Sequence, residues 1–160
     1  MGRKQRKNRP ALPVRSFRQS GGACMSKLVV IVQCELVTRR CSGYNCMKAF
    51  TQRSGKMEGY PEGTRYMTLN CGGCCGAGID VKIENLEKRL LANEEKKEDV
   101  VFHLATCICT ENRHRLPCPF KNYLKKMIER RGFSVIEGTY ISKMATQRRA
   151  EGVYQPWKDC

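Results

Sequence analysis

The most constraining feature of this chain is an alternation. Four short strand-forming runs, Leu28 to Gln33, Arg65 to Asn70, Val100 to Thr106 and Phe133 to Glu137, are separated by helix-length segments. Those segments read as helices over Cys46 to Arg53, Ile79 to Glu95 and Phe120 to Arg131. In the second, Ile79, Ile83, Leu86, Leu90 and Leu91 recur at the spacing of one helix face, and Gly132 stops the third. Strands joined by crossover helices lie parallel, and right-handed crossovers put helices on both faces. The expected fold is a small doubly wound α/β sandwich, with a mostly parallel sheet of about four strands and Cys-rich loops at its carboxyl edge. A strand order of 2-1-3-4 would set the first strand about 4.8 Å from both the second and the third.

At 160 residues and 41% apolar content, the chain has material for one core. It divides into a basic arm over 1–24, an α/β domain over 25–145 and a C-terminal extension over 146–160. The arm holds Arg3, Lys4, Arg6, Lys7, Arg9, Arg15 and Arg18 and no acid, so it carries +7 of the net +15. It lacks apolar periodicity, as a disordered segment does, and Met25 makes a natural start to the domain. From Ile141 onward the pattern fades; Trp157 is expected to dock on the body, and Arg148 and Arg149 to face solvent. No window approaches 18 uncharged apolar residues and the start lacks the apolar core of a secretory signal. A cytoplasmic protein with reduced thiols and no membrane contact is expected.

Eleven cysteines, an odd number, favour metal or redox chemistry over a bridged framework. Cys34 follows the first run, Cys71 the second with Cys74 and Cys75 just beyond, and Cys107 the third with Cys109 and Cys118 after it. Open α/β sheets bind ligands at the carboxyl ends of their strands. Thiolate bonds to zinc are about 2.3 Å long, so Cys34, Cys71 and Cys107 are expected to converge on one ion or small cluster. Cys46 opens the first helix, the Cys71-Gly-Gly-Cys74 loop runs into the second, and Cys118 precedes Pro119 at the third. Helix N-termini favour thiolates there. Cys24 and Cys160 fall outside these motifs and read as plain thiols. His103 stands four residues before Cys107 on a strand, roughly 13 Å away along the rise, so it reads as a core histidine. His114 reads as an exposed loop residue.

In chain order, Cys34, Cys41-Ser-Gly-Tyr-Asn-Cys46-Met-Lys-Ala-Phe, Cys71-Gly-Gly-Cys74, His103-Leu-Ala-Thr-Cys107-Ile, Pro117-Cys118-Pro119 and Gly138-Thr139-Tyr140 resemble the CGGC domain family. The resemblance implies a metal-binding domain, from the family's Cys and His content, and brings no reaction with it. The chain departs from the family pattern at Cys75, where Pro is usual, at Tyr140, where His is usual, and at Cys109, which is additional. The candidate ligands are Cys34, Cys41, Cys46, Cys71, Cys74, Cys107 and Cys118; Tyr140 is expected to pack.

Three functions compete. The leading one is a thiolate-rich site for zinc or an iron–sulfur cluster with a redox or metal-handling role, because soft sulfur selects such metals over Mg or Ca. The second is a metal-free thiol–disulfide oxidoreductase in which Cys71 attacks and Cys74 resolves. The third is a basic nucleic-acid-binding module. It lacks finger-type ligand spacing and aromatic stacking motifs, so nucleic acid is expected to bind only weakly, through the arm. An anion cradle over Cys34 to Arg40 is disfavoured, since Leu36, Val37 and Thr38 lack the backbone freedom it needs.

Overall fold

Val29, Val30, Ile31 and Val32 follow one another without a polar interruption, as a strand covered on both faces requires, and all four are fully buried. They form the middle of β1 (Leu28–Gln33), which pairs with β2 (Arg65–Asn70) on one side and β3 (Val100–Leu104) on the other; β4 (Ser134–Glu137) completes the sheet beyond β3. The order is β2-β1-β3-β4 and every pairing is parallel, so the fold is the expected α/β one. The computed structural model describes residues 28–113 and 115–156. The arm, Cys24, His114, Trp157 and Cys160 lie outside the described residues.

Helices α1 (Glu35–Thr38), α2 (Tyr44–Thr51), α3 (Ala77–Ala92), α4 (Thr106–Cys109), α5 (Lys121–Arg130) and α6 (Lys143–Ala150) connect and follow the strands. None of the described helices is long and apolar enough to cross a membrane. On one face, Val30, Val32, Phe102 and Leu104 pack against Ile79, Ile83, Leu86 and Leu90 of α3 and Leu124 and Ile128 of α5. On the other, Val29 and Ile31 pack against Ala49 and Phe50 of α2, with Met57, Tyr60 and Ala105. Leu91, grouped with the α3 stripe by its spacing, is instead 80% exposed. One residue past Leu90 is a turn of about 100°, which carries it off the buried stripe.

Alternation along β3 turns His103 to the second face, where it is fully buried. Its Nδ1 lies 2.7 Å from the Gly138 carbonyl oxygen and its Nε2 2.7 Å from the Tyr60 hydroxyl. A carbonyl only accepts, so Nδ1 carries the proton and Nε2 accepts from Tyr60. Burial lowers its pKa to about 4, with the Gly138 hydrogen bond opposing. His103 is a satisfied core histidine that ties β3 to the end of β4.

Candidate functional site

The β1–β2 ladder continues past the strands. The Cys71 N–H donates to Gln33 O at 2.8 Å, so Cys34 and Cys71 leave the sheet side by side, both buried on the α3 and α5 face. Their sulfurs are engaged separately. Cys34 Sγ accepts from Arg115 Nη1 at 3.3 Å; Cys71 Sγ accepts from the Glu35 N–H at 3.4 Å and points its own proton at Gly73 O, 3.7 Å away. Cys74 and Cys75 are exposed. Cys118 is half-buried, and burial raises its pKa against the lowering effects of the Phe120 backbone and Arg115. Cys109, buried, donates to Leu104 O at 3.2 Å, and burial pushes its pKa up to about 12.

The Cys71-Gly-Gly-Cys74 loop owes its glycines to packing. Gly72 has φ +81°, and a Cβ there would lie 2.5 Å from Gly78 Cα at the start of α3. The loop therefore presses backbone against backbone, and Gly76 intervenes before the helix begins at Ala77. With Cys71 buried and Cys74 exposed, the loop holds its first sulfur away from solvent, the reverse of what attack by Cys71 requires.

A different set of thiols shares a space. Cys41, Cys46 and Cys107 line a cavity of about 640 Å³ bounded by the α1–α2 connection, α4 and the segment from β4 into α6. Arg40, Arg113, Arg149 and Tyr140 also line it. Gly43 caps α2 with φ +75°, the left-handed region that favours glycine, while the Cβ contact it spares is only with the flexible end of Gln33, 2.6 Å away. Cys46 thereby falls in the first turn of α2, its Sγ 3.3 Å from Thr139 Oγ1. Thr139 is pinned in turn: its N–H donates to Thr106 Oγ1 at 3.0 Å, and that hydroxyl donates to Tyr140 O at 2.7 Å. Thr106 opens α4, so the same pair of threonines sets Cys107 beside Cys46.

Burial disfavours the charged form of two of these thiols. Burial pushes the Cys107 pKa up to about 12; Cys46, Cys34 and Cys41 raise it further, while the Cys34 backbone opposes. Burial also raises the pKa of Cys46, against a hydrogen bond from Thr139. The expectation that helix N-termini would make thiolates is thus corrected at Cys46 and Cys118. The amide dipoles of one helical turn are worth about 1 kcal/mol, and α4 is only four residues long, too little to offset desolvation.

Among the described residues, no group of three or more His, Cys, Asp or Glu side chains is arranged to hold an ion. The expected convergence of Cys34, Cys71 and Cys107 on one metal is corrected accordingly. Arg115 and the Glu35 amide engage the first two sulfurs, whereas Cys107 lines the cavity. The donor set does not form a closed cage for a resident ion.

Two features escaped the sequence. Helix α6 forms where the apolar pattern fades, started by Ser142, whose Oγ accepts from the Ala145 N–H at 3.3 Å; a serine at the N-cap is the signal that could have marked it. Arg149, expected in solvent, instead donates through Nη2 to Thr110 Oγ1 at 3.1 Å and to Glu111 O at 2.6 Å, closing α6 over the cavity. Arg148 lies against Tyr154, donating to its hydroxyl at 2.7 Å.

The sequence profile described as the CGGC domain matches residues 28–140. Over 120 residues the chain is 26% identical to an uncharacterised protein of Methanocaldococcus jannaschii, an alignment covering 70% of this chain and 85% of that one. No solved structure gives a significant match.

Proposed function

The chain belongs to the CGGC domain family, a cysteine-containing family considered metal-binding, and on that premise we propose that it handles a thiophilic metal ion as cargo, captured by Cys41, Cys46 and Cys107. The observation that carries this is the cavity itself: Cys41 and Cys46 of one short stretch and Cys107 of α4 open onto one space, and since they do not stand arranged around one point, an incoming ion must draw them together. Zinc suits three sulfurs and one open position, whereas iron–sulfur clusters ordinarily take four thiolates. Protonated thiols must give up their protons as the metal binds, so capture weakens as pH falls and the ion is released more readily than from a closed structural site. That behaviour belongs to a handler of metal, for which reversible loading matters more than stability.

The test is anaerobic titration of the reduced full chain with zinc, read by native mass spectrometry, and with cobalt(II), read by its thiolate charge-transfer absorption. Wild type is expected to load one ion. Cys46→Ser and Cys107→Ser should weaken loading by at least about tenfold, the scale at which single metal-site changes act, and Cys75→Ser should not. Equal losses from all three variants would overturn the assignment.

A further inference from the structure

Cys34 and Cys71 do not line the cavity, and they form a pair of their own. Gln33 and Asn70 are register partners at the ends of β1 and β2, and the bond from the Cys71 N–H to Gln33 O carries the ladder one step further. Cys34 and Cys71 are therefore the next pair, on neighbouring strands about 4.8 Å apart, with both side chains buried in the same core. A disulfide spans roughly 4.4–6.8 Å between Cα atoms, so this spacing suits one. The sulfur positions agree. Cys71 Sγ accepts from the N–H of Glu35, the residue joined to Cys34, and so lies within about 6 Å of Cys34 Cα. Arg115 is half-buried and its Nη1 donates to Cys34 Sγ at 3.3 Å, so the guanidinium reaches from the solvent side to a buried sulfur. A donor placed there stabilises negative charge on the sulfur as it attacks. Cys118, also half-buried, interacts electrostatically with both cysteines and is a third thiol beside them.

From this juxtaposition we infer that Cys34 and Cys71 are a reversible dithiol–disulfide site, oxidised by hydrogen peroxide that reaches Cys34 beside Arg115. Neither sulfur belongs to the metal-handling set, so the inference stands apart from the function proposed above. Peroxide is hardly larger than water, which suits sulfurs this buried better than a bulky disulfide does. In the first step Cys34 Sγ attacks one peroxide oxygen: the S–O bond forms, the O–O bond breaks, and the departing hydroxide leaves with the Cys34 proton as water. Cys71 Sγ then attacks Cys34 Sγ. The S–S bond forms, the S–O bond breaks, and the second hydroxide leaves with the Cys71 proton as water. The two sulfurs give up two electrons and the peroxide takes them. A small dithiol reverses the change by exchange, becoming a disulfide as Cys34 and Cys71 regain their protons.

The test treats the reduced full chain with one equivalent of hydrogen peroxide, blocks the remaining thiols with N-ethylmaleimide and reads the tryptic peptides by mass spectrometry. Cys34 falls in peptide 28–39 and Cys118 in 116–121, while Cys71, Cys74 and Cys75 share 66–82. The expected main product joins 28–39 to 66–82 and disappears with dithiothreitol. It should persist in Cys74→Ser/Cys75→Ser and be lost in Cys71→Ser. In Arg115→Gln it should form about tenfold more slowly, the cost of losing one hydrogen bond to a charged group. A main product within 66–82, one joining 28–39 to 116–121, one that survives Cys71→Ser, or a wild-type rate in Arg115→Gln would overturn the inference. The product is mapped in the wild type first, so a variant that fails to fold does not decide the outcome.

Discussion

Two cysteine-bearing regions of this protein invite comparison. The loop from Cys71 to Cys75 carries the family's signature spacing, yet its glycines serve a backbone contact, its first sulfur is buried and engaged by Glu35, and its last two are exposed. The cavity joins the Cys41-to-Cys46 stretch to Cys107, some sixty residues further along the chain, and it is there that thiols, guanidiniums and free space coincide. The difference teaches that close spacing in sequence marks where the chain must turn. Chemistry gathers where separate turns meet. In the loop the cysteines occupy positions dictated by a tight strand-to-helix connection; in the cavity they are held by Thr106, Thr139 and the Gly43 cap.

The largest expected effect breaks the loop. Gly72→Ala places a Cβ against Gly78 at a positive φ, combining left-handed strain with backbone overlap. It should cost about 4 kcal/mol in denaturant unfolding. The zinc taken up per folded molecule should stay at the wild-type value. Wild-type stability in this variant would mean that the glycines serve something other than packing.

A somewhat smaller effect loosens the cavity from beneath. His103 is neutral when folded, with a pKa of about 4, against 6.5 for an unperturbed histidine. Between those pH values the unfolded chain binds a proton that the folded one refuses, so stability falls as pH drops below 6.5 and the loss levels off near 4. Its full size is about 3 kcal/mol. Because His103 holds Gly138 beside Thr139, amide exchange at pH 5 should rise first around Thr106, Thr139 and Tyr140, before the Cys71 loop. Simultaneous opening of both regions would erase the distinction drawn between them.

The smallest effect sharpens the contrast in reactivity. Alkylation by iodoacetamide at pH 8 should modify exposed Cys74 and Cys75 at least about tenfold faster than Cys107, whose proton is held to about pH 12. Zinc should slow labelling of Cys46 and Cys107 and leave Cys74 and Cys75 unaffected. Peptide mass spectrometry reads both outcomes, and protection of Cys74 by zinc would return the loop to the site.

Much of the frame was legible before any coordinates. β1 and β2 fall on the residues expected from their apolar runs, and β3 ends at Leu104 because Thr106 already belongs to α4. The 2-1-3-4 order, the two-sided burial of β1 and the core placement of His103 also follow from pattern and rise. Helix α6 did not, since a short helix with only Ala145 buried has almost no periodicity to read.

What the sequence determined by itself is everything set by local geometry: the two-residue and 3.6-residue periods, the glycine stops, and which cysteines follow which strands. What only the tertiary structure decided is where the sulfurs point and whether they are charged. Cys34 and Cys71 follow their strands as expected, but Arg115 and the Glu35 amide turn them to other work, while Cys41, Cys46 and Cys107 line the cavity with Arg149 across from them. The physical reason is that a thiol's direction and proton depend on desolvation and on donors brought from residues far away in the chain. Spacing along the sequence records neither.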